Sequence, residues 1–301
     1  MRVDPLAQGR NGGRSTEGHR LEDWITKSLA ASDRKQATKD LYATLARTHL
    51  VPTVGTIPLG RLRPSDVEAL VVTKRDAGLS ASTVRKIYTV LRAALDIASR
   101  DGLIRSNPAA AVRRPGVERK DAPHLTAEQA QALLEAIRGD RLETLFRLML
   151  ATGLRRGESL ALHWSDVDLD AGLLRVRWTL SRTSQGLQLD EPKTDKSRRT
   201  VPLPRSAIAT LRAHRTRQLE EQRTAAGAWP EHGLVFTTEI GTPLEPRNVL
   251  RRIEVLAERA GLRGATLHTL RRSTASFLLA AGTHTKVGTA ATSGTVPSHR
   301  G

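Results

Sequence analysis

The chain has 301 residues, enough for about two domains of ordinary size, each with its own core. Forty-eight Lys and Arg against 31 Asp and Glu give a net charge of +17 and a pI near 11.2, which points to a polyanionic partner, nucleic acid foremost. No apolar run approaches the roughly 18 residues of a membrane span and no apolar signal segment opens the chain, so a cytoplasmic, nucleoid-associated protein without a membrane partner is expected. The absence of cysteine excludes disulfides and thiolate metal sites.

Residues 1–18 carry Gly9, Gly12, Gly13 and Gly18 without an apolar period and read as a disordered lead-in or a scar of truncation. From Leu21 the pattern is helical. Leu21, Trp24, Ile25 and Leu29 recur at three- and four-residue steps, and Leu41, Tyr42, Leu45 and Leu50 form a second stripe. Ser65 with Glu68 has capping-box spacing and predicts a helix through Val67, Leu70 and Val71 that ends near Gly78. In the next helix Val84, Ile87, Tyr88, Leu91, Leu95 and Ala98 make one apolar face. Arg85, Lys86, Arg92 and Arg100 project from the other sides, and Gly102 and Pro108 mark its end. Residues 19–108 are therefore expected to form a helical domain.

Residues 109–124 include Arg113, Arg114, Pro115, Arg119, Lys120 and Pro123 without any period, which predicts an exposed linker positive enough to lie along phosphates. Thr126 with Gln129 caps a new helix, and another follows through Leu142, Leu145, Phe146, Leu148, Met149 and Leu150 until Gly153 breaks it. Leu174, Val176, Trp178 and Leu180 alternate with Arg175, Arg177 and Thr179, which predicts one strand whose partner runs from Arg198 to Leu203. Helices resume over Ser206–Gln222, Arg247–Ala260 and Thr269–Ala280, the last burying Leu270, Phe277, Leu278 and Leu279. Residues 125–286 thus read as a mainly α domain with a small antiparallel β-sheet. Residues 287–301 have neither helical period nor apolar weight.

Aromatics make up 3% of the residues, too few for a platform on which single-stranded bases stack, so double-stranded DNA held through its phosphates is the expected partner. Three segments place cations where a phosphate can be gripped: Thr152-Gly153-Leu154-Arg155-Arg156-Gly157-Glu158, Pro192-Lys193-Thr194-Asp195-Lys196-Ser197-Arg198-Arg199, and His268-Thr269-Leu270-Arg271-Arg272. Taken singly, each is what a solvated surface commonly produces.

In this order, spaced about forty and then about seventy-five residues apart, the segments resemble the catalytic domain of tyrosine recombinases, the phage-integrase family. The resemblance spans residues 21–286, and Ser80–Pro115 also resembles that family's core-binding domain. It implies a two-domain architecture, with a helical core-binding domain over residues 19–108 and an integrase-type catalytic domain over residues 125–286 on opposite faces of the duplex. It implies Arg155 and Arg271 as the paired arginines, His268 as the first histidine of the His-x-x-Arg box, Lys193 as the hairpin lysine and Glu158 as the acidic residue after the first arginine.

These residue types suit the chemistry. Attack on a phosphodiester builds negative charge on the non-bridging oxygens, which planar guanidinium groups meet with paired hydrogen bonds. The leaving 5′ hydroxyl needs a proton, for which Lys193 is the expected general acid. His268 assists proton transfer or supports the clamp, and Glu158 orients Arg155 or His268 or forms a plain salt bridge. No metal or cofactor is implied, because the arginines supply the charge that Mg²⁺ supplies in many nucleases. Further DNA contacts are expected from Arg85, Lys86, Arg113, Arg114, Lys120, Lys196 and Arg272, the last standing where many relatives carry another histidine.

In the family, a Leu-Gly-His-Ser-like segment follows this box, and after it the tyrosine that becomes joined to the 3′ phosphate. The 301 residues contain neither. Tyr42 and Tyr88, the two tyrosines, are expected in the helical core of the first domain, and His284 and His299 do not replace the lost histidine. Residues 287–301 read like a shifted frame: Gly294-Thr295-Val296-Pro297, offset by one base, can encode His-Ser-Ser, preceded by a glycine codon formed at the Ser293 junction. The expectation is a truncated or frameshifted site-specific recombinase, monomeric in solution, that binds DNA without cleaving it. The alternatives are a module that interferes with intact recombinase subunits and a helical regulator whose motifs match by chance.

Overall fold

The structure is a computed structural model that describes residues 20–118, 124–191, 197–225 and 227–280. The chain divides into two compact units, Met1–Lys120 and Asp121–Gly301. The expected lead-in over residues 1–18, Lys120, Lys193, Lys196, His284, His299 and the tail over residues 287–301 lie outside the described residues. So do the side chains of Phe277, Leu278 and Leu279.

Helices α1 (Leu21–Ala30), α2 (Gln36–Leu45), α3 (Val51–Val54), α4 (Pro64–Asp76) and α5 (Ala81–Arg100) make up the described part of the first unit. The centre is α5, which buries Val84, Ile87, Tyr88, Val90, Leu91, Ala94, Leu95 and Ala98 along one stripe. The Ser80 hydroxyl accepts the Thr83 N–H at 3.3 Å and so caps its first turn. Against this stripe α1 sets Leu21, Trp24, Ile25 and Leu29, and the Trp24 indole donates to the Ala94 carbonyl at 2.8 Å.

Three expectations for this unit need correction. Leu41 is exposed on α2 although Leu45, one turn on, is buried, and α2 runs into α3 through a π-helical turn over Ala46–Leu50 that brings Leu50 into the core. The start of α4 is set by Pro64 in its first turn and by the Asp66 carboxylate, which accepts the Arg63 N–H at 2.8 Å, and not by Ser65 with Glu68. The stretch from Ala109 begins as a short 3₁₀ turn, Pro108–Ala111, whose Ala109, with Val112, enters the core. The buried Tyr88 hydroxyl requires an acceptor and lies 2.7 Å from the Ala109 carbonyl and 3.1 Å from that of Val112. Arg85, expected on DNA, donates through Nε to the Pro115 carbonyl at 2.7 Å.

The second unit opens with α6 (Ala127–Ala136). Its Thr126–Gln129 box closes as expected: the Thr126 hydroxyl accepts the Gln129 N–H at 3.2 Å, and the Gln129 side chain accepts the Thr126 N–H at 3.0 Å. Then come α7 (Glu143–Thr152), α8 (Arg156–Leu160), strands β1 (Val167–Asp168), β2 (Leu173–Val176), β3 (Thr179–Thr183), β4 (Gly186–Asp190) and β5 (Arg199–Pro202), and helices α9 (Arg205–Thr224), α10 (Pro246–Arg259) and α11 (Leu267–Ala280). The core joins α7, β2, β3 and the inner faces of α9, α10 and α11, with Phe146, Leu174, Leu211, Ile253 and Leu270 among its members.

The single strand expected over Leu174–Leu180 is two strands in two sheets. β2 lies between β1 and β5, while among the described residues β3 pairs with β4 alone, all antiparallel. Burial of Leu174, Val176 and Leu180 keeps alternate parity across the break at Arg177 and Trp178, so the sequence period carries no trace of it.

Candidate phosphate-binding site

Two helix ends meet at this site. Chain direction reverses at Gly153, whose φ of 63° is left-handed and ends α7 in a conformation that glycine adopts without strain. Leu154 is buried and Arg155 then precedes α8, with its own side chain exposed. A Cβ on Gly157 would lie 2.4 Å from the Thr179 hydroxyl and 2.8 Å from the Leu180 carbonyl, so glycine here lets α8 sit directly on β3.

From the far end of the sequence, α11 docks onto the last turn of α7. The buried Thr274 hydroxyl donates to the Leu150 carbonyl at 2.6 Å, and the Ser273 hydroxyl accepts the Leu125 N–H at 2.8 Å. This docking brings Arg271 to Gly153, whose carbonyl accepts a hydrogen bond from its Nη1, two residues from Arg155.

Beneath the arginines lies Glu158, its side chain 4% exposed. Its carboxylate accepts the Arg155 backbone N–H at 2.8 Å and Arg155 Nη1 at 2.6 Å. From β5, Arg199 adds a two-pronged contact, Nη1 to Oε1 at 3.1 Å and Nη2 to Oε2 at 2.8 Å. Burial pushes the Glu158 carboxyl up, but the hydrogen bonds from Arg199 and Arg155 outweigh it and hold the group below the usual carboxylate range. Glu158 is thus an anion with both oxygens occupied, unsuited to receive a substrate proton. Among the described residues its hydrogen bonds come from Arg155 and Arg199, and none comes from His268.

Burial also pushes the Arg271 guanidinium down from its ordinary value, as do the charges of Arg155 and Arg199, against the opposing pull of Glu158. A guanidinium stays charged through such a shift. Three arginines and one carboxylate leave the cluster at +2, partly shielded from water, and that excess is available to an anion.

His268 sits at the start of α11, one turn before Arg271. It is exposed and makes no hydrogen bond among the described residues, while Arg272 is exposed beside it. In the first unit Lys86, Arg113 and Arg114 are exposed. Sequence reasoning passed over Arg199 as one cation in a basic run. A signal was present: Arg199, Val201 and Leu203 share strand parity, so the arginine faces the side that carries the core residues, where a charge demands a partner. Among the described residues no group of three His, Asp or Glu side chains could hold a metal ion, and no helix is long and apolar enough to cross a membrane.

The profile of the phage integrase family matches residues 123–288. A tyrosine recombinase XerC-like protein of Caldanaerobacter subterraneus is 32% identical over 226 residues, which span 68% of this chain and 57% of that protein. Among solved structures, the Tn1549 transposon integrase in complex with a circular intermediate DNA superposes with a TM-score of 0.75 at 22% identity, covering 88% of each chain. A lambda integrase from a tetramer bound to a Holliday junction superposes with a TM-score of 0.68 at 22% identity, covering 90% of this chain and 76% of that one. The fold is therefore that of the integrases, mainly helical with small antiparallel sheets in a two-domain architecture. On the family profile and the XerC-like relative together, the chain belongs to the phage integrase family, the tyrosine recombinases.

Proposed function

We propose that this chain acts in site-specific DNA recombination, binding double-stranded DNA so that Arg155 and Arg271 hold one backbone phosphate. The observation that carries the reading is the meeting of these two arginines, 116 residues apart in sequence, over a carboxylate that fixes one of them. Their contacts with the non-bridging oxygens would strengthen as a second negative charge develops on those oxygens in the transition state, where a cluster at +2 is best matched. His268, three residues before Arg271 on the same helix, is within reach of that phosphate to assist proton transfer. Lys193 is the proposed donor of a proton to the leaving 5′ hydroxyl. Residues 19–108 are proposed as the core-binding domain, with Lys86, Arg113 and Arg114 on phosphates. Partners are duplex DNA and other recombinase subunits, in keeping with the lambda integrase tetramer.

Within the 301 residues the tyrosines are Tyr42 and Tyr88. The Tyr88 hydroxyl is buried and engaged, and Arg34 lies over the Tyr42 ring at 5.0 Å, both in the first unit. A polypeptide of these 301 residues is therefore expected to bind without forming a 3′-phosphotyrosyl bond. Titrating it with duplex DNA, and resolving a nicked duplex by denaturing electrophoresis, tests both halves. Tight, salt-sensitive binding with no covalent adduct is expected. Salt-insensitive or absent binding would overturn the DNA assignment, and an adduct would overturn the silence.

A further inference from the structure

We propose that Arg199 is a positioning residue of the phosphate site: it fixes Glu158, and through Glu158 fixes Arg155, without touching the phosphate itself. This inference rests on the reading of Arg155 and Arg271 as phosphate ligands.

The geometry separates the two arginines that share Glu158. The Arg155 side chain is 53% exposed and reaches Glu158 through one guanidinium nitrogen, which leaves the rest of its donor fork for an incoming anion. The Arg199 side chain is 16% exposed, and both its terminal nitrogens are committed to the carboxylate, with Nη1 also 3.3 Å from the Ser197 carbonyl. One arginine is directed outward and the other is enclosed. Strand pairing anchors the enclosed one, since Arg199 stands opposite Val176 in the β2–β5 ladder.

The carboxylate makes the relay stiff. A buried anion accepting four hydrogen bonds has no alternative orientation that keeps them all, so the Arg155 guanidinium is held in one place before a ligand arrives. Without Arg199, Glu158 loses two of the four donors and becomes free to turn. Arg155 would then retain its charge but lose its fixed direction, and binding would include the cost of ordering it. Lysine cannot replace the arginine here, because an ammonium grips as a point donor and does not span both carboxylate oxygens.

The test is a double-mutant cycle on affinity for a duplex DNA at constant salt, read beside melting temperature. R155A and R199Q are each expected to weaken binding about tenfold, the scale of one charge-assisted contact. In the R155A background, R199Q should cost nothing more, because the residue through which it acts is gone. R199K should bind like R199Q in spite of its restored charge. A further tenfold loss from R199Q on top of R155A would mean that Arg199 holds phosphate directly, and recovery by R199K would mean that only its charge matters. Either result overturns the proposal, as does an unchanged affinity in R199Q. If R199Q melts below the assay temperature, the neutral pair E158Q with R199Q takes its place and is expected to bind about tenfold more weakly than the unaltered chain and to cost nothing more in R155A. An R155A variant that binds like the unaltered chain would instead defeat the phosphate reading on which the relay rests.

Discussion

Single side chains in this protein are read best by what surrounds them. Arg155, Glu158 and Arg271 could be named from the sequence because the order and spacing of their segments resemble the integrase family, although each segment alone looks like a solvated surface. Arg199 was passed over: strand parity placed it on the inward side, but the partner that explains it, Glu158, is 41 positions away. His214 makes the same point away from the site. It is buried on α9, with Nε2 2.7 Å from the Val235 carbonyl and Nδ1 2.9 Å from Arg217 Nη2, so the ring is neutral and donates through Nε2. Burial pushes its pKa below the ordinary 6.5; the Val235 carbonyl and Glu221 oppose this, and Arg217 and Arg141 add to it. The unfolded chain therefore takes up this proton first as the pH falls. Stability contributed by the neutral ring is complete above about 6.5 and is lost as the pH drops from there toward the lower folded value. Urea midpoints measured from about pH 7 down to about pH 5 should fall more steeply for the unaltered protein than for H214Q, and parallel profiles would contradict this.

Among the elements, those with local signals were legible. The α5 stripe and the Thr126–Gln129 box depend on residues within a few turns of one another, and both stand as read. The strand break at Arg177 and Trp178 was not legible, because alternation continues through it and only pairing partners reveal two sheets. Nor was the π turn at Ala46–Leu50, which has no signal in hydrophobic period. The docking of α11 through Ser273 and Thr274 was equally hidden, since hydroxyls on a helix usually suggest an exposed face. Placement of the site depends on such contacts, and Gly157 is the sharpest case. In G157A the new methyl would meet the Leu180 backbone, which cannot rotate aside as a side chain can. Overpacking of this kind costs about 1–3 kcal/mol. G157A should lower the denaturation midpoint and weaken DNA binding together, by shifting α8 away from β3. Unchanged stability would mean that the strand gives way easily.

For the whole molecule, charge and two separate cores were the most secure inferences from composition, and both units indeed have cores of their own. A surplus of +17 makes attraction to DNA unsurprising, so the absolute affinity of the unaltered chain says little about the site. The informative quantity is how many phosphates the paired arginines neutralise. Each phosphate contributes about 0.9 to the slope of log K against log salt. The decisive measurement is that slope, with the affinity, for the unaltered chain, R155A, R271A and the double variant. If both side chains grip one phosphate, the double variant should lose about 0.9 from the slope, with an affinity loss well short of the product of the two single losses. Independent losses that multiply, with the slope falling by about 1.8, would assign the two arginines to different phosphates and contradict the clamp.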